Sequence, residues 1–471
     1  MKQETNRGSF SGQLGFIMAA AASAVGLGNI WRFPYLAAKD GGGVFLLFYV
    51  ILTLTFGFAL LTSEVAIGRK TGQSPLTAYG HLNHKFRGLG VLACLVPTII
   101  LPYYCAIGGW VLKYLITFTY NGIGAAEDGF FTSFISSPFQ PILWMFVFLF
   151  ITAAVVFAGV EQGIEKFSKI LMPILLFLIV GISVFSLTLK SQGEDGGIRT
   201  GLQGLKIYLV PNFSGMSLYD IFTVFIDALG QLFYSISVAM GIMVAYGSYA
   251  KKETNLISSI NQIELFDTLV AMLAGLMIVP AVYVFMGTEG MSGGPGLMFV
   301  SLPKVFSAMG TVGQVVGVVF FTITAFAAVT SSVSIMEAIV SSLIDRFGWS
   351  RKKSSVIVFV YAVILGTIVC LGYNAWYFEW KLPNGTSAQI LDLFDYVSNY
   401  WLMPFVALLT CILVGWVVKP KAIIEEVTQQ KFAFRRKWLY VAMVKVIAPI
   451  MLLLLLVQST GLLDMILKLF R

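Results

Sequence analysis

The nine residues Gly26-Leu27-Gly28-Asn29-Ile30-Trp31-Arg32-Phe33-Pro34 put two glycines, an amide, a guanidinium and a proline inside the first long apolar run of the chain. Glycine weakens a helix and proline breaks its hydrogen-bond ladder, so this run is expected to cross a bilayer in two pieces. Backbone without helical partners survives at membrane depth only where protein or a water-filled cavity satisfies it. Such a break suits the binding of something polar by main-chain N–H and C=O groups. A simple proline kink would account for Pro34 but not for Asn29 and Arg32 beside it.

The sixth apolar run is interrupted in the same way. Residues 230–241 read Gly-Gln-Leu-Phe-Tyr-Ser-Ile-Ser-Val-Ala-Met-Gly, with Gln231, Ser235 and Ser237 in mid-span and a glycine at each end. If runs one and six each open a five-span half, the paired breaks form the pattern of an inverted-repeat transporter with its site near the midplane. The halves share no visible sequence identity, so the repeat is read from the pattern alone.

The elements that must carry these breaks follow from composition. Of 471 residues, 58% are hydrophobic and 11% charged, and the mean hydropathy is +0.85. Soluble domains carry about 25% charged residues, so the chain reads as an all-α polytopic membrane protein and a domain count from length does not apply. With about 20 apolar residues needed to span roughly 30 Å of hydrocarbon, eleven spans are expected. They lie near 13–37, 43–68, 89–121, 140–158, 166–190, 218–248, 255–287, 311–345, 355–374, 389–417 and 437–467. The chain then divides into a polar segment 1–12, a first five-span repeat 13–190, an outer loop 191–217, a second repeat 218–417, and a loop with the eleventh span, 418–471. Residues 1–12 lack a small-residue cleavage site and are not read as a signal peptide.

Twenty of the thirty-one Lys and Arg residues fall on one face if the N-terminus is cytoplasmic, the asymmetry that sets orientation in a cell membrane. The net charge of +8 is thus a matter of topology and not a nucleic-acid footprint. Cys94, Cys105, Cys370 and Cys411 all lie within apolar spans without metal-ligand spacing, so no disulfide framework is expected. His81 and His84 lie in a loop on the basic face with no third ligand nearby, and are read as solvated. No Walker A, nucleophile elbow or His-Glu-x-x-His motif occurs, so covalent catalysis has no support. Energy must come from an ion gradient or from a partner.

Gly26 to Pro34 is similar to the sodium-binding signature of the neurotransmitter:sodium symporters. The resemblance extends through Glu64 and Gly68-Arg69, Pro102-Tyr103-Tyr104, the 230–241 stretch and Thr330-Ser331-Ser332. It implies the LeuT fold with broken helices 1 and 6; eleven spans and short loops look like a prokaryotic member. It also implies two sodium sites and no organic cofactor. One site would use carbonyls of Ala22, Val25 and Ala327 with the hydroxyls of Thr330 and Ser331. The other would use Ala24, Asn29, Ser235 and Asp267, the last standing where relatives usually have asparagine. A carboxylate in the membrane is expensive and usually functional. Since the acid position of chloride-independent relatives falls on Ala271, Asp267 would supply that negative charge itself, and chloride is not expected to be required. Asn261 and Glu264 leave a second alignment of this span open.

Gly26 stands where monoamine carriers of the family place an aspartate, leaving room for a substrate's own carboxylate. That group would meet sodium, the amides of Leu27 and Gly28, and Tyr104, at a break where helix N-termini favour anions. The amine would face carbonyls of Ala24, Tyr234, Ser235 and Ser237. Val25, Ile100, Tyr234, Ala239, Met240, Ser331 and Ile335 would wall an apolar side-chain pocket, so a small or medium neutral zwitterionic amino acid is expected. Arg32 and Asp395 resemble the outer gate pair, with Gln231 beside them and Tyr104 and Tyr234 as an aromatic lid; Arg7 and Asp345 resemble the inner pair. Gly163 and Pro173 resemble a helix end that unwinds to release the second sodium. A proton-coupled carrier using Asp267 and a non-transporting amino-acid sensor remain alternatives.

Overall fold

The structure, a computed structural model, describes residues 8–192, 196–287, 296–383 and 385–462. The first apolar run forms α1 (Gln13–Ala24), a π-helical turn (Gly28–Arg32) and α2 (Phe33–Lys39), the two halves bent by 50°. The ladder of α1 stops at Val25, which is extended at φ −75° and ψ 98°. Pro34 does not make this break. It lies within the second half, Gly28–Lys39, directly after the π-helical turn, where the hydrogen-bond ladder has already shifted from the α pattern. Residues 25–27 carry the interruption, and the signature beyond them is helical.

The second span joins α3 (Gly43–Leu52) to α4 (Phe58–Thr71) through a π-helical turn. A short helix, α5 (Pro75–Leu82), leads to α6 (Arg87–Asn121). Then come α7 (Phe130–Ile135), α8 (Gln140–Phe157) and α9 (Lys166–Thr188), the last entered through a π-helical turn at Val160–Glu165. The stretch expected as an outer loop holds structure of its own: a hairpin of β1 (Lys190–Gln192) and β2 (Ile198–Thr200), then α10 (Gly201–Leu209), started by a Thr200–Gln203 capping box.

The sixth span is divided into α11 (Leu218–Ser235) and α12 (Ile242–Tyr249). Gly230, expected at the break, lies inside α11. The unwound stretch is 236–241, where Ser237, Ala239 and Gly241 have φ of 55°, 61° and 73°. The second half continues with α13 (Leu256–Met286), α14 (Leu302–Ala308), α15 (Thr311–Phe347) and α16 (Arg351–Leu371). A small hairpin follows, β3 (Trp380–Lys381) with β4 (Ser387–Ala388), before α17 (Ile390–Asp395) and α18 (Met403–Ile412). Last are α19 (Pro420–Val427), α20 (Lys437–Ala442) and α21 (Ala448–Ser459).

Among the described residues nine helices are long and apolar enough to cross a membrane, or ten with the bent first run taken as one span. The divided sixth would make the expected eleventh, but neither of its pieces meets that measure separately. Leu143, Phe150, Phe177, Val184, Ile364 and Leu453 stand exposed on the outer faces, as suits hydrocarbon and not water. The chain is a multi-pass membrane protein.

The broken helices lie at the centre. α1 packs against α13 and α15, and α12 against α4. At the last contact Gly68 lies against the Val244 carbonyl and Gly247 against that of Val65, so a Cβ on either would strike the other backbone. Small residues permit this close crossing, the usual device where no water drives helices together. On the face that bears the N-terminal segment, buried Arg69 of α4 pairs with Glu426 of α19 at 2.8 Å and donates to the Thr254 carbonyl at 2.7 Å. Breaking a buried pair from one side costs about 3–5 kcal/mol. Arg69→Gln is therefore expected to lower the unfolding temperature of purified protein markedly, read against Lys421→Gln, whose ion pair with Glu425 is exposed.

Candidate functional site

The two breaks face one another around a small cavity of about 30 Å³. Ala24, Gly26, Leu27 and Gly28 line it from the first break; Tyr234, Ser235, Ser237 and Met240 from the second; Ile100 and Tyr104 from α6; Ser331 and Ile335 from α15. Twelve of the fourteen residues expected around a substrate are thus brought together. Val25 and Ala239 are not in the lining. Val25 turns its carbonyl to the Ser331 hydroxyl, at 3.3 Å, and Ala239 donates its N–H to Glu64 at 2.6 Å. Ser23 and Asn29 line the cavity in addition.

The unwound backbone is held by named partners. Gly26 N–H donates to Asn29 Oδ1 (3.0 Å), and Leu27 N–H to Tyr104 Oη (3.3 Å). Gln231 Nε2 donates to the Gly28 carbonyl at 2.9 Å, tying α11 to the first break. Ser237 and Ala239 occupy left-handed conformations that cost non-glycine residues about 1–2 kcal/mol. The Ser237 hydroxyl offsets part of this by donating to the Ser23 carbonyl (3.0 Å), and Ala239 through Glu64. Glycine is required at Gly26, where a Cβ would lie 2.5 Å from Ser331 Oγ, and at Gly28, where it would lie 2.7 Å from the Tyr234 ring.

Fully buried Asp267 of α13 stands where the breaks meet. Its Oδ1 accepts Asn29 Nδ2 and the Ser235 hydroxyl, each at 2.7 Å, and its Oδ2 accepts the Tyr49 hydroxyl at 3.0 Å. All three donors are neutral, and among the described residues no cation pairs with it. Ala24 is buried and lines the cavity with Asn29 and Ser235. Glu264, three residues earlier, instead meets Arg436 at 2.9 Å, and Asn261 meets the same guanidinium. Of the two alignments left open, the geometry brings Asp267 to the break.

A second group of oxygens joins α1 to α15. The Ser331 hydroxyl lies 3.0 Å from the Ser23 carbonyl as well as near that of Val25. The Thr330 hydroxyl lies 3.0 Å from the Ala327 carbonyl, and Ala22 is buried in the last turn of α1. These are neutral hard donors, the chemistry a releasable monovalent cation needs. Among the described residues no cluster of three His, Cys, Asp or Glu could hold a transition metal.

The gate residues are arranged otherwise than expected. Arg32 lies over the Tyr234 ring at 5.6 Å, while Asp395 accepts from Tyr103 (3.2 Å) and Asn399 (2.5 Å). Among the described residues no ion pair joins Arg32 to Asp395. Neutral donors have taken the carboxylate, and a cavity of about 260 Å³ lined by Arg32, Tyr234 and Asn399 opens above. On the opposite face Asp345 accepts the Ser74 N–H at 2.6 Å; Arg7 lies outside the described residues. The start of the fifth span is π-helical through Gly163, and Pro173 lies within α9.

Sequence reasoning passed over Tyr49 and Ser23. Tyr49 is the one polar side chain of α3 and Ser23 the one hydroxyl of α1, and those isolated polar atoms were the available signal.

Two discontinuous helices meeting break to break, with buried polar groups turned inward and hydrocarbon outward, define a multi-pass carrier of the broken-helix type. A sequence profile of the sodium:neurotransmitter symporter family matches residues 7–123 and 133–465. An uncharacterized sodium-dependent transporter of Methanocaldococcus jannaschii is 33% identical over 469 residues, 95% of this chain and 89% of the relative. Another from Bacillus subtilis is 32% identical over 467 residues, 97% and 98% of the two chains. The crystal structure of MhsT in complex with L-phenylalanine superposes with a TM-score of 0.83 at 31% identity, covering 96% of this chain and all of that one. The chain belongs to the sodium:neurotransmitter symporter family. It has the LeuT fold and is a sodium-dependent transporter, not an enzyme.

Proposed function

We propose that this protein imports a neutral zwitterionic amino acid with sodium, by alternating access, and without a need for chloride. The observation that carries the reading is the cavity between the two breaks. Its lining includes the unwound main chain of the first break and the Tyr104 hydroxyl, which accepts the Leu27 N–H and keeps its own proton for a carboxylate, and next to it Asp267 has no cationic partner among the described residues. MhsT, similar over nearly the whole chain, holds an amino acid.

In this reading Asn29, Ser235, Asp267 and the Ala24 carbonyl form one sodium site. Ala22, Val25, Ala327, Thr330 and Ser331 form the other. The small size of the cavity and a lining of described residues that includes no charged side chain beside Ile100, Met240 and Ile335 favour a small or medium apolar side chain. Asp267 takes the part of the anion, which is why chloride is dispensable. Arg32 and Asp395 draw together when the outer side closes, since a pair worth about 0–1 kcal/mol when wet suits a gate that must reopen. Arg7 and Asp345 act likewise on the inner side. The 13–190 and 218–417 segments form the inverted five-span repeats, and the N-terminus lies in the cytoplasm of a cell whose plasma membrane holds the protein.

Capture of radiolabelled amino acids by purified protein in a scintillation proximity assay tests the proposal. Binding of at least one neutral amino acid is expected in NaCl and in sodium gluconate, with a loss of more than tenfold in KCl. Equal capture in NaCl and KCl would refute sodium coupling. Capture that ignores sodium but rises as the pH falls would favour a proton-coupled carrier instead.

A further inference from the structure

On the face that bears the N-terminal segment, a recess of about 460 Å³ lies between the connection of the second and third spans and the end of α15. His81 from α5, His84 from the turn after it, Arg87 at the start of α6 and Arg346 from α15 converge on it, and no carboxylate is in its lining. Neither arginine takes part in an ion pair among the described residues. Asp345, next to Arg346, accepts the Ser74 N–H at 2.6 Å. The tendency of basic residues to stay on one side of a membrane explains their presence on this face. It does not explain why two guanidinium groups and two imidazoles from separate elements surround one recess.

We propose that this recess binds the phosphodiester headgroup of an anionic phospholipid from the adjacent leaflet. Guanidinium groups recognise phosphate oxygens in a planar, two-pronged fashion, and the N-terminus of the 35-residue α6 adds partial positive charge. The same recess carries the evidence for a lipid and not a free anion. Val91 forms one wall and is 54% exposed, and Leu95, one turn along α6, is 41% exposed, so the apolar wall runs on toward hydrocarbon. Beyond Arg346, Phe347 stacks on Trp349 at 4.9 Å, and Lys353 lies 4.3 Å over Trp349. Aromatic and cationic side chains together mark headgroup depth. The site also has a route to the transport machinery. α5 starts at Pro75, which packs against Gly241 at the end of the second break, so a headgroup bridging α5 and α15 steadies the inner end of the pathway.

Native mass spectrometry of the full-length protein, titrated with phosphatidylglycerol or phosphatidylcholine, tests this. Arg87→Gln/Arg346→Gln is expected to bind phosphatidylglycerol about thirtyfold more weakly than the parent, the fold-change for two charges near the surface. Phosphatidylcholine binding should not change, and sodium-dependent substrate capture should survive, which separates this site from the transport reading. Equal phosphatidylglycerol binding by parent and variant would overturn the proposal. Displacement of the lipid by millimolar inorganic phosphate would also overturn it, assigning the recess to a free anion. Should the variant not be obtained folded, phosphatidylglycerol with a photoreactive acyl chain should label the unaltered protein at residues 91–95; labelling confined to other faces would count against the site.

Discussion

Asp267→Ala is expected to weaken sodium-dependent substrate capture at least about a hundredfold. The fully buried carboxylate accepts from Asn29, Ser235 and Tyr49 and, in the proposed function, also binds sodium. Hydrogen bonds to a charged group are worth about 1.5–3 kcal/mol, and a buried donor left without an acceptor costs a further 1–3 kcal/mol. Loss of even one such interaction at the sodium site accounts for a hundredfold change. Asp267→Asn keeps the shape and an oxygen to accept from Asn29 and Ser235, but removes the charge and turns its amide donor toward the Tyr49 hydroxyl. That variant should recover part of the binding in NaCl and little in sodium gluconate, since chloride would then supply the missing negative charge. A sodium titration in both salts, on protein that stays monodisperse, is the measurement. Full activity of Asp267→Asn in gluconate would remove the carboxylate from the mechanism.

Gly26→Ala should abolish detectable capture while leaving a folded protein. The added methyl would lie 2.5 Å from Ser331 Oγ and 3.0 Å from Tyr104 Oη. Neither neighbour is free to retreat: Ser331 is held by the carbonyls of Ser23 and Val25, and Tyr104 by the Leu27 N–H. Overpacking costs about 1–3 kcal/mol in an ordinary core. Here it falls where the substrate carboxylate and a proposed sodium ligand meet, so the loss should appear in binding. Gly230→Ala is the control. It lies in the helical part of the sixth span with nothing within 4 Å of its added Cβ, and alanine favours a helix by about 1 kcal/mol. It should bind as the parent does and unfold no lower. Equal capture by both variants would mean that the cavity at the break is not the binding site.

The chain alone determined the class of protein, the location of the first break and the likeness of that break to one in the sixth span. Hydrophobic length and loss of helix stability at glycines are local properties, legible wherever a residue sits in space. Asp267 was legible too, because a carboxylate within an apolar run has few structural excuses. Only the tertiary structure decided that Asp267 and not Glu264 meets the break. The two lie three residues apart on one helix, and which of them faces Asn29 depends on how α13 packs against α1. Arg436, which claims Glu264, comes from 172 residues away. The same holds for Tyr49, which reaches Asp267 from α3, and for Asp395, whose carboxylate accepts from Tyr103 and Asn399 and makes no ion pair with Arg32 among the described residues. Each of these depends on the rotation and spacing of helices distant in sequence, set by packing over the whole bundle.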